Sequence, residues 1–175
     1  MDGRAAGARR LEDRHLVPDP GDALVIRAGV VLLSEHGIAA IERVRDGRTY
    51  HVLPGGQVED GESPAEAARR EVHEELGLLV KIRAAVAVVH FGDSTQHYFV
   101  ADLIGGEFGT GDGPELDSPA DSERGSYRAV WLPVTDLAAC DLRPRPIAAA
   151  LQGAPDPWWL LDGWMATPVV IDEPV

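Results

Sequence analysis

The sequence predicts an α/β sandwich with a mixed β-sheet. Two observations lead to this class: aliphatic and β-branched runs of strand length recur along the chain, and one long and one or two short helical segments interrupt them. The 175 residues, with 45% apolar content, are enough for one domain with a buried core. We expect a domain over residues 23–153, a flexible N-terminal arm over 1–22, and a Trp- and Pro-rich C-terminal tail over 154–175.

Three strands are predicted before the long helix. Residues 23–33 form an apolar run typical of a strand buried on much of both faces. A second strand is predicted over 38–44, and Asp46-Gly47 is a strong hairpin signal before a third strand over 49–53. Pro54-Gly55-Gly56 then ends this strand. Its two glycines leave a stretch of backbone without Cβ atoms, which a ligand or metal ion can approach closely.

The long helix is predicted over residues 64–76. Ser63 is a natural N-cap, Pro64 suits the first helical position, and Glu66 can complete a capping box with Ser63. Gly77 supplies the left-handed position that ends the helix. Both ends of the helix are therefore marked in the sequence.

Further strands are predicted over 79–91, 96–104 and 127–132. The segment 105–125 is rich in Gly, Pro, Asp and Ser, and a loop of this length in a compact domain tends to be functional or disordered. Its glycines at 109–113 resemble a phosphate loop only superficially, because no helix follows them.

The C-terminal part is predicted to contain two short helices. Thr135 can cap one that runs to about Cys140, which we interpret as a packing residue, and the other is predicted over 146–152. Beyond it, Trp158, Trp159 and Trp164 are expected to leave water by packing on the domain or on a second copy in a homodimer.

Three carboxylates crowd one side of the long helix. Glu71, Glu74 and Glu75 have i, i+3, i+4 spacing beside the apolar face, and they lie near the negative end of the helix dipole. Both features are locally unfavourable. A hard divalent cation bound by carboxylate oxygens would offset them, whereas a solvent-exposed acidic helix is the alternative.

The spacing of these residues resembles the Nudix box of the Nudix hydrolases. The fixed positions of that motif are filled here by Gly56, Glu62, Arg70, Glu71, Val72, Glu74, Glu75, Gly77 and Leu78. The resemblance implies a Nudix-type α/β/α sandwich and a metal-activated water that attacks a phosphorus of a nucleoside diphosphate linked to another group. Mg²⁺ is the expected ion, with Mn²⁺ as a substitute.

The resemblance also implies roles for individual residues. Glu74 and Glu75 look like metal ligands, Glu71 looks like a ligand or the general base, and the Gly55 region helps to shape the metal site. Glu62 and Arg70 resemble the pair that braces the loop against the helix.

The loop 105–125 is expected to add a further catalytic acid. Many relatives carry an acidic residue before the strand that ends here in Trp131-Leu132-Pro133. We favour Glu123, and the other candidates are Asp121, Glu115 and Asp117.

The sequence gives fewer signals for the residues that bind substrate. Arg43, Arg45 and Arg48 could contact phosphate, or they could be solvated strand-edge arginines, and His51 is a packing or substrate-edge residue. The proline and tyrosine markers of ADP-ribose and dinucleoside-polyphosphate enzymes are not met, because their places hold Ser94, Thr95 and Gln96. A nucleoside triphosphate or related, damaged nucleotide, cleaved to the monophosphate, is the first hypothesis. ADP-ribose, a nucleotide sugar or a dinucleoside polyphosphate is the second, and a non-catalytic nucleotide sensor is the third.

Composition limits the partners. A net charge of −13 argues against binding to long nucleic acid but is compatible with a small polyphosphate when metal ions reverse the local field. No apolar run approaches the roughly 18 residues that span a bilayer, so no membrane association is expected. A single Cys and no segment of signal-peptide type favour the cytoplasm.

Overall fold

The computed structural model describes residues 25–113 and 125–173. The predicted arm over 1–22 and part of the predicted loop, residues 114–124, lie outside these ranges. The described residues contain ten strands: β1 (Val25–Val31), β2 (Leu33–Ser34), β3 (Gly37–Arg45), β4 (Arg48–Val52), β5 (Gly55–Gln57), β6 (Leu78–Phe91), β7 (Ser94–Gly106), β8 (Ser126–Leu132), β9 (Leu142–Arg143) and β10 (Val169–Asp172).

The strands form two mixed sheets. The first sheet has the order β10-β6-β7-β1-β5, in which β1 is parallel to β7 and β10 is parallel to β6. The second sheet has the order β2-β3-β4-β9, and β8 pairs with β3. The predicted α/β class is confirmed, with two mixed sheets where the sequence predicted one.

Three α-helices cover the sheets. They are α1 (Pro64–Leu76), α2 (Arg145–Gly153) and α3 (Pro157–Ala166). The helix predicted over 64–76 is confirmed at both ends, and α2 begins one residue before the predicted start. No helix in the described ranges is long and apolar enough to cross a membrane.

The core consists of two apolar clusters on opposite sides of β1. Val30 belongs to the cluster that packs against Val72 and Leu76 of α1, whereas its neighbour Val31 belongs to the cluster that contains Ile147 of α2 and Leu161 of α3. Val30 and Val31 are both fully buried. Because successive side chains of a strand point to opposite faces, the continuous apolar run at β1 serves both clusters.

One strand was not predicted, and one local prediction was wrong. Pro54-Gly55-Gly56 was predicted to end the third strand, and β4 does end at Val52, but Gly55–Gln57 then forms a further strand, β5, antiparallel to β1. The helix predicted from Thr135 to Cys140 is reduced to a 3₁₀ helix, Val134–Asp136, without a side-chain cap. The Thr135 hydroxyl donates to the Asp136 carboxylate at 2.9 Å, so it does not cap the helix.

The C-terminal segment packs on the domain through only part of its surface. Helix α3 buries Leu161, Trp164 packs against the same cluster, and β10 extends the first sheet. Trp158 and Trp159 remain 53% and 74% exposed in the single chain, so packing on the domain does not remove them from water, and packing on a second copy stays a prediction. Asp156 caps α3 by accepting hydrogen bonds from their backbone N–H groups, which places both residues in the first, outward-facing turn.

Candidate active site

Helix α1 presents the acidic cluster from a well-defined position. At its start, the Ser63 Oγ accepts a hydrogen bond from the Glu66 N–H at 3.3 Å, and the Glu66 carboxylate accepts one from the Ser63 N–H at 2.9 Å. This reciprocal pair is the predicted capping box. At the other end, Gly77 adopts a left-handed conformation with φ 74°. The cluster is therefore carried on a helix whose two ends are fixed.

The glycine-rich segment 107–113 completes the C-terminal end of α1. The Gly109 N–H donates to the Leu76 carbonyl and the Gly113 N–H donates to the Glu74 carbonyl, both at 2.9 Å. These carbonyls belong to the last turn of α1, where backbone C=O groups have no hydrogen-bond partners within the helix. A Cβ at Gly77 would collide with Thr110, so the close approach of this segment requires glycine there. The segment thus caps the helix.

Arg70 connects three carboxylates and the loop before the helix. Its Nε and Nη2 donate to the two oxygens of Glu62, each at 3.1 Å, and Nη2 also donates to the Gln57 carbonyl at 3.1 Å. Its Nη1 donates to Glu71 at 2.9 Å and to Glu74 at 3.2 Å. The structure therefore brings the predicted bracing pair and two of the three crowded carboxylates to one guanidinium group.

Arg70 also sets the electrostatics of the cluster. Hydrogen bonding to Arg70 holds the pKa of Glu62 below its usual value, and the same carboxylate raises the pKa of Arg70. One guanidinium charge is shared by Glu62, Glu71 and Glu74, so the positive group that the crowding requires is supplied in part by the protein itself. The cluster keeps a net negative charge, which favours a cation.

Glu75 is the third carboxylate of the cluster and is turned toward the sheet. Its side chain is 8% exposed, and its Oε2 accepts a hydrogen bond from the Gly55 N–H at 2.8 Å. A Cβ at Gly55 would collide with the Ala28 carbonyl on β1, and a Cβ at Gly56 would collide with the Glu71 carboxylate. The two glycines thus let β5 lie against both β1 and α1.

Two cavities adjoin these residues. The first, of about 500 Å³, has Arg27, Glu59, Asp60 and Glu71 as its charged lining residues, together with Gly56. The second, the inner cavity, has a volume of about 240 Å³ and polar lining residues from β1, β3, β7 and α1, namely Arg27, Arg43, Glu75, Gln96 and Tyr98. Arg27 lines both cavities, the first together with Glu71 and the second together with Glu75.

The donor set fits a hard divalent cation. Carboxylate oxygens and a backbone carbonyl are the ligands that Mg²⁺ takes in proteins, and the missing Cβ atom of Gly56 lets the Glu71 carboxylate lie against β5. Within residues 25–113 and 125–173, no three His, Cys, Asp or Glu side chains converge as a ready-made metal site. The three carboxylates do not converge because Glu71 and Glu74 hydrogen-bond to Arg70, whereas Glu75 accepts a hydrogen bond from the Gly55 N–H.

The predicted substrate arginines are not all near the cluster. Arg43 lines the inner cavity and stacks on Tyr127, with its Cζ 3.7 Å from the ring centroid. Arg45 and Arg48 face each other at the exposed end of the β3–β4 hairpin, and Arg45 lies 3.8 Å from the Asp46 carboxylate. The structure thus brings only Arg43 to the cavities.

His51 lies on the other face of the second sheet. It pairs with Glu42, whereas Arg43 pairs with Tyr50, and alternation along the strand places these two pairs on opposite faces. The imidazole is buried, its Nδ1 hydrogen-bonds the Cys140 carbonyl, and its Nε2 lies 3.6 Å from Glu42. These contacts are those of a packing residue. Burial raises the pKa of the Cys140 thiol, which packs against the same core cluster.

The acidic candidates from the loop, namely Glu115, Asp117, Asp121 and Glu123, lie outside the described residues. Sequence reasoning missed Arg27, which lines both cavities. A signal for it was present, because Arg27 is the one charged residue in the apolar run 23–33. Arg27 lies where β1 changes from exposed to buried residues, and the two cavities give its charge a polar environment.

Comparison with known proteins identifies a family model that spans most of the chain and relatives that match parts of it. The NUDIX domain model matches residues 23–151. An ADP-ribose pyrophosphatase from Methanocaldococcus jannaschii is 41% identical over 66 residues, which are 34% of this chain and 39% of the relative. The human 8-oxo-dGDP phosphatase NUDT18 is 34% identical over 122 residues, which are 68% of this chain and 33% of the relative. The chain thus spans between a third and two fifths of the length of these two relatives.

Solved structures share the fold. A NUDIX hydrolase from Nitrosomonas europaea has a TM-score of 0.57 at 20% identity and covers 86% of this chain and 79% of its own. The MutT structure described for Aliivibrio salmonicida and Vibrio cholerae has a TM-score of 0.55 at 20% identity and covers 73% of this chain and 96% of its own. The family model matches most of the chain, and the sequence motif and the fold both agree with that match. The chain therefore belongs to the Nudix hydrolase family.

Proposed function

We propose that this protein is a divalent-metal-dependent pyrophosphohydrolase that cleaves a phosphoanhydride bond in a nucleoside diphosphate derivative. The observation that carries the proposal is the arrangement of Glu71, Glu74 and Glu75 on one helix with Arg70 bonded to two of them and Glu75 bonded to the Gly55 N–H. A helix with crowded carboxylates, beside a cavity lined by further charged residues, is costly unless a cation and a phosphate bind there.

The residues would divide the work as follows. Glu71, Glu74, Glu75 and the Gly55 carbonyl would hold the metal, and one of the glutamates or Glu123 would accept the proton of the attacking water. When bound, a divalent ion supplies positive charge for the phosphate oxygens and lowers the pKa of a bound water.

Glu62 and Arg70 orient this set. The bidentate pair between them joins the loop before α1 to the helix, and Arg70 limits the rotamers of Glu71 and Glu74. Residues that orient metal ligands in this way affect metal affinity without contacting the metal.

The inner cavity supports a role in substrate binding. Arg27 and Arg43 present two guanidinium groups there beside Glu75, and guanidinium groups match the geometry of phosphate oxygens. This favours an enzyme over a non-catalytic sensor, because two arginines and the Glu75 carboxylate, which would bind the metal, line the same small space.

For the substrate, we favour a nucleoside triphosphate or a related, damaged nucleotide cleaved to the monophosphate. Relatives named as a putative 8-oxo-dGTP diphosphatase from Bacillus subtilis, 36% identical over 83 residues, and as the human 8-oxo-dGDP phosphatase support this class. The relative named as an ADP-ribose pyrophosphatase supports the second candidate, which includes ADP-ribose, nucleotide sugars and dinucleoside polyphosphates.

A product screen tests the proposal. The protein is incubated with nucleoside triphosphates, 8-oxo-dGTP, ADP-ribose, a nucleotide sugar and a dinucleoside polyphosphate, in Mg²⁺, in Mn²⁺ and in EDTA, and the nucleotide products are separated by chromatography. We expect a monophosphate product that requires metal. Turnover that persists in EDTA would refute the metal-dependent mechanism, and tight nucleotide binding without any turnover would favour the sensor.

A further inference from the structure

A row of alternating tyrosine rings and guanidinium groups crosses the second sheet. Tyr127, Arg43 and Tyr50 are cross-strand neighbours on β8, β3 and β4. The Arg43 Cζ lies 3.7 Å from the Tyr127 ring centroid and 5.9 Å from that of Tyr50. On β9, the Arg143 Cζ lies 4.4 Å from the same Tyr50 ring. Tyr50 therefore lies between two guanidinium groups at distances that allow cation–π attraction.

The two arginines line two adjoining cavities. Arg43 lines the inner cavity defined above. Arg143 lines a further cavity of about 310 Å³, here called the outer cavity, together with Phe91, Arg145 and Glu173. Gln96 and Tyr98 line both of these cavities, so the inner and outer cavities adjoin. A ligand that extends past these two side chains would reach both arginines.

The outer cavity keeps hydrogen-bond donors for an anion. Arg143 and Arg145 share the Asp141 carboxylate through single bonds of 2.9 Å and 2.8 Å. A guanidinium has five donors, so most of those on Arg143 remain for a ligand. The Glu173 carboxylate accepts a bond from the Arg145 backbone N–H at 3.1 Å. Hydrogen bonding to both arginines lowers the pKa of Asp141, which keeps this carboxylate charged and the arginines in position.

From this row we infer that the inner and outer cavities together bind a triphosphate or longer phosphate chain. Arg43 and Arg143 contact different phosphates, and Tyr50 is the positioning residue that fixes the spacing between them. The inference rests on the proposed function and narrows its substrate class to nucleotides with three or more linked phosphates. A nucleoside diphosphate joined to a neutral sugar would bring no third phosphate to Arg143, which would keep Asp141 as its anionic partner.

Calorimetry with two inorganic probes tests this inference without turnover. Pyrophosphate and tripolyphosphate are titrated into the full chain with Ca²⁺ in place of Mg²⁺, and phosphate analysis checks that neither probe is hydrolysed. We expect tripolyphosphate to bind about tenfold more tightly, which is typical of one added charge-assisted contact. Tyr50→Leu and Arg143→Met should each remove this preference and change pyrophosphate affinity less than twofold, because Arg43 keeps its contact with Tyr127.

The controls separate positioning from a general structural role. Tyr50→Phe keeps the ring and should keep the preference, and Arg83→Met removes a half-exposed arginine on β6 that lines neither cavity. Equal affinities in the wild type, a preference that survives in Arg143→Met, or equal losses for both probes in Tyr50→Leu would each overturn the inference. If Tyr50→Leu does not fold, Arg143→Met decides the question. A preference for tripolyphosphate without nucleotide hydrolysis in the product screen would refute the proposed function and leave the binding inference intact.

Discussion

Replacing Arg70 by methionine removes the group that connects the acidic cluster. Arg70 donates five hydrogen bonds, to Glu62, Glu71, Glu74 and the Gln57 carbonyl. Its side chain is 26% exposed, and those of Glu62 and Glu71 are 16% and 12% exposed. Breaking a buried ion pair costs about 3–5 kcal/mol, and partial exposure reduces this. We expect Arg70→Met to lower the free energy of unfolding by about 2 kcal/mol at pH 7.

The pH dependence of this loss follows from Glu62. Because Arg70 lowers the pKa of folded Glu62 below its ordinary value of 4.5, the pair stabilises the fold above that value and the stabilisation disappears as pH falls through the folded pKa. The difference between wild type and Arg70→Met should therefore be largest above about pH 5 and should shrink in more acidic buffer. Urea unfolding from pH 7 to pH 3, without metal, measures it. Arg83→Met, on the exposed surface of β6, is the matched control.

Two results would refute this reasoning. A loss in Arg70→Met no larger than that in Arg83→Met would mean that the hydrogen bonds of Arg70 add nothing to stability. A loss that stays constant down to pH 3 would mean that the effect does not depend on the charge of Glu62.

The remaining predictions concern the cluster and the loop. Gly56→Ala should reduce turnover at least a hundredfold with a smaller effect on melting temperature, because its Cβ would displace the Glu71 carboxylate; normal turnover would exclude this contact from the site. Glu74→Gln should abolish most turnover and reduce the rise in melting temperature caused by Mg²⁺, while changing the metal-free melting temperature little, since it loses one ion pair with Arg70 but also one charge at the negative end of the helix. Unfolding of this variant would indicate a structural role. Glu123→Gln should lower kcat at least tenfold without a change in melting temperature, and wild-type turnover with saturating Mg²⁺ would remove Glu123 from the mechanism.

Features with local causes were predictable from the sequence. The ends of α1 depend on Ser63, Glu66 and Gly77, whose side-chain and backbone preferences act within one turn, and the structure has them as predicted. The predicted hairpin at Asp46-Gly47 is also confirmed, because its turn depends on the backbone preferences of these two residues. Their φ values are 52° and 71°.

Features that depend on distant partners were not predictable in this way. Strand β5 exists because Gly55 and Gly56 pair with β1, and nothing in the local pattern distinguishes this from a turn. In the candidate site, the pairing of Arg70 with Glu62 was predicted from the resemblance to a known motif. The positions of Arg27 and of the row through Tyr50 were not predicted, because they depend on which strands become neighbours. The exposure of Trp158 and Trp159 depends on which side of α3 meets the core.

The contacts between segment 107–113 and α1 have a practical consequence. The amide protons of Gly109 and Gly113 are held by the carbonyls of Leu76 and Glu74, in the turn that carries the acidic cluster. Their exchange with deuterated solvent therefore requires the hydrogen bonds between the segment and the end of α1 to break. These two amides are built-in probes of that contact, readable by nuclear magnetic resonance without a label on any carboxylate. Slower exchange on addition of Mg²⁺ would report tightening of this contact.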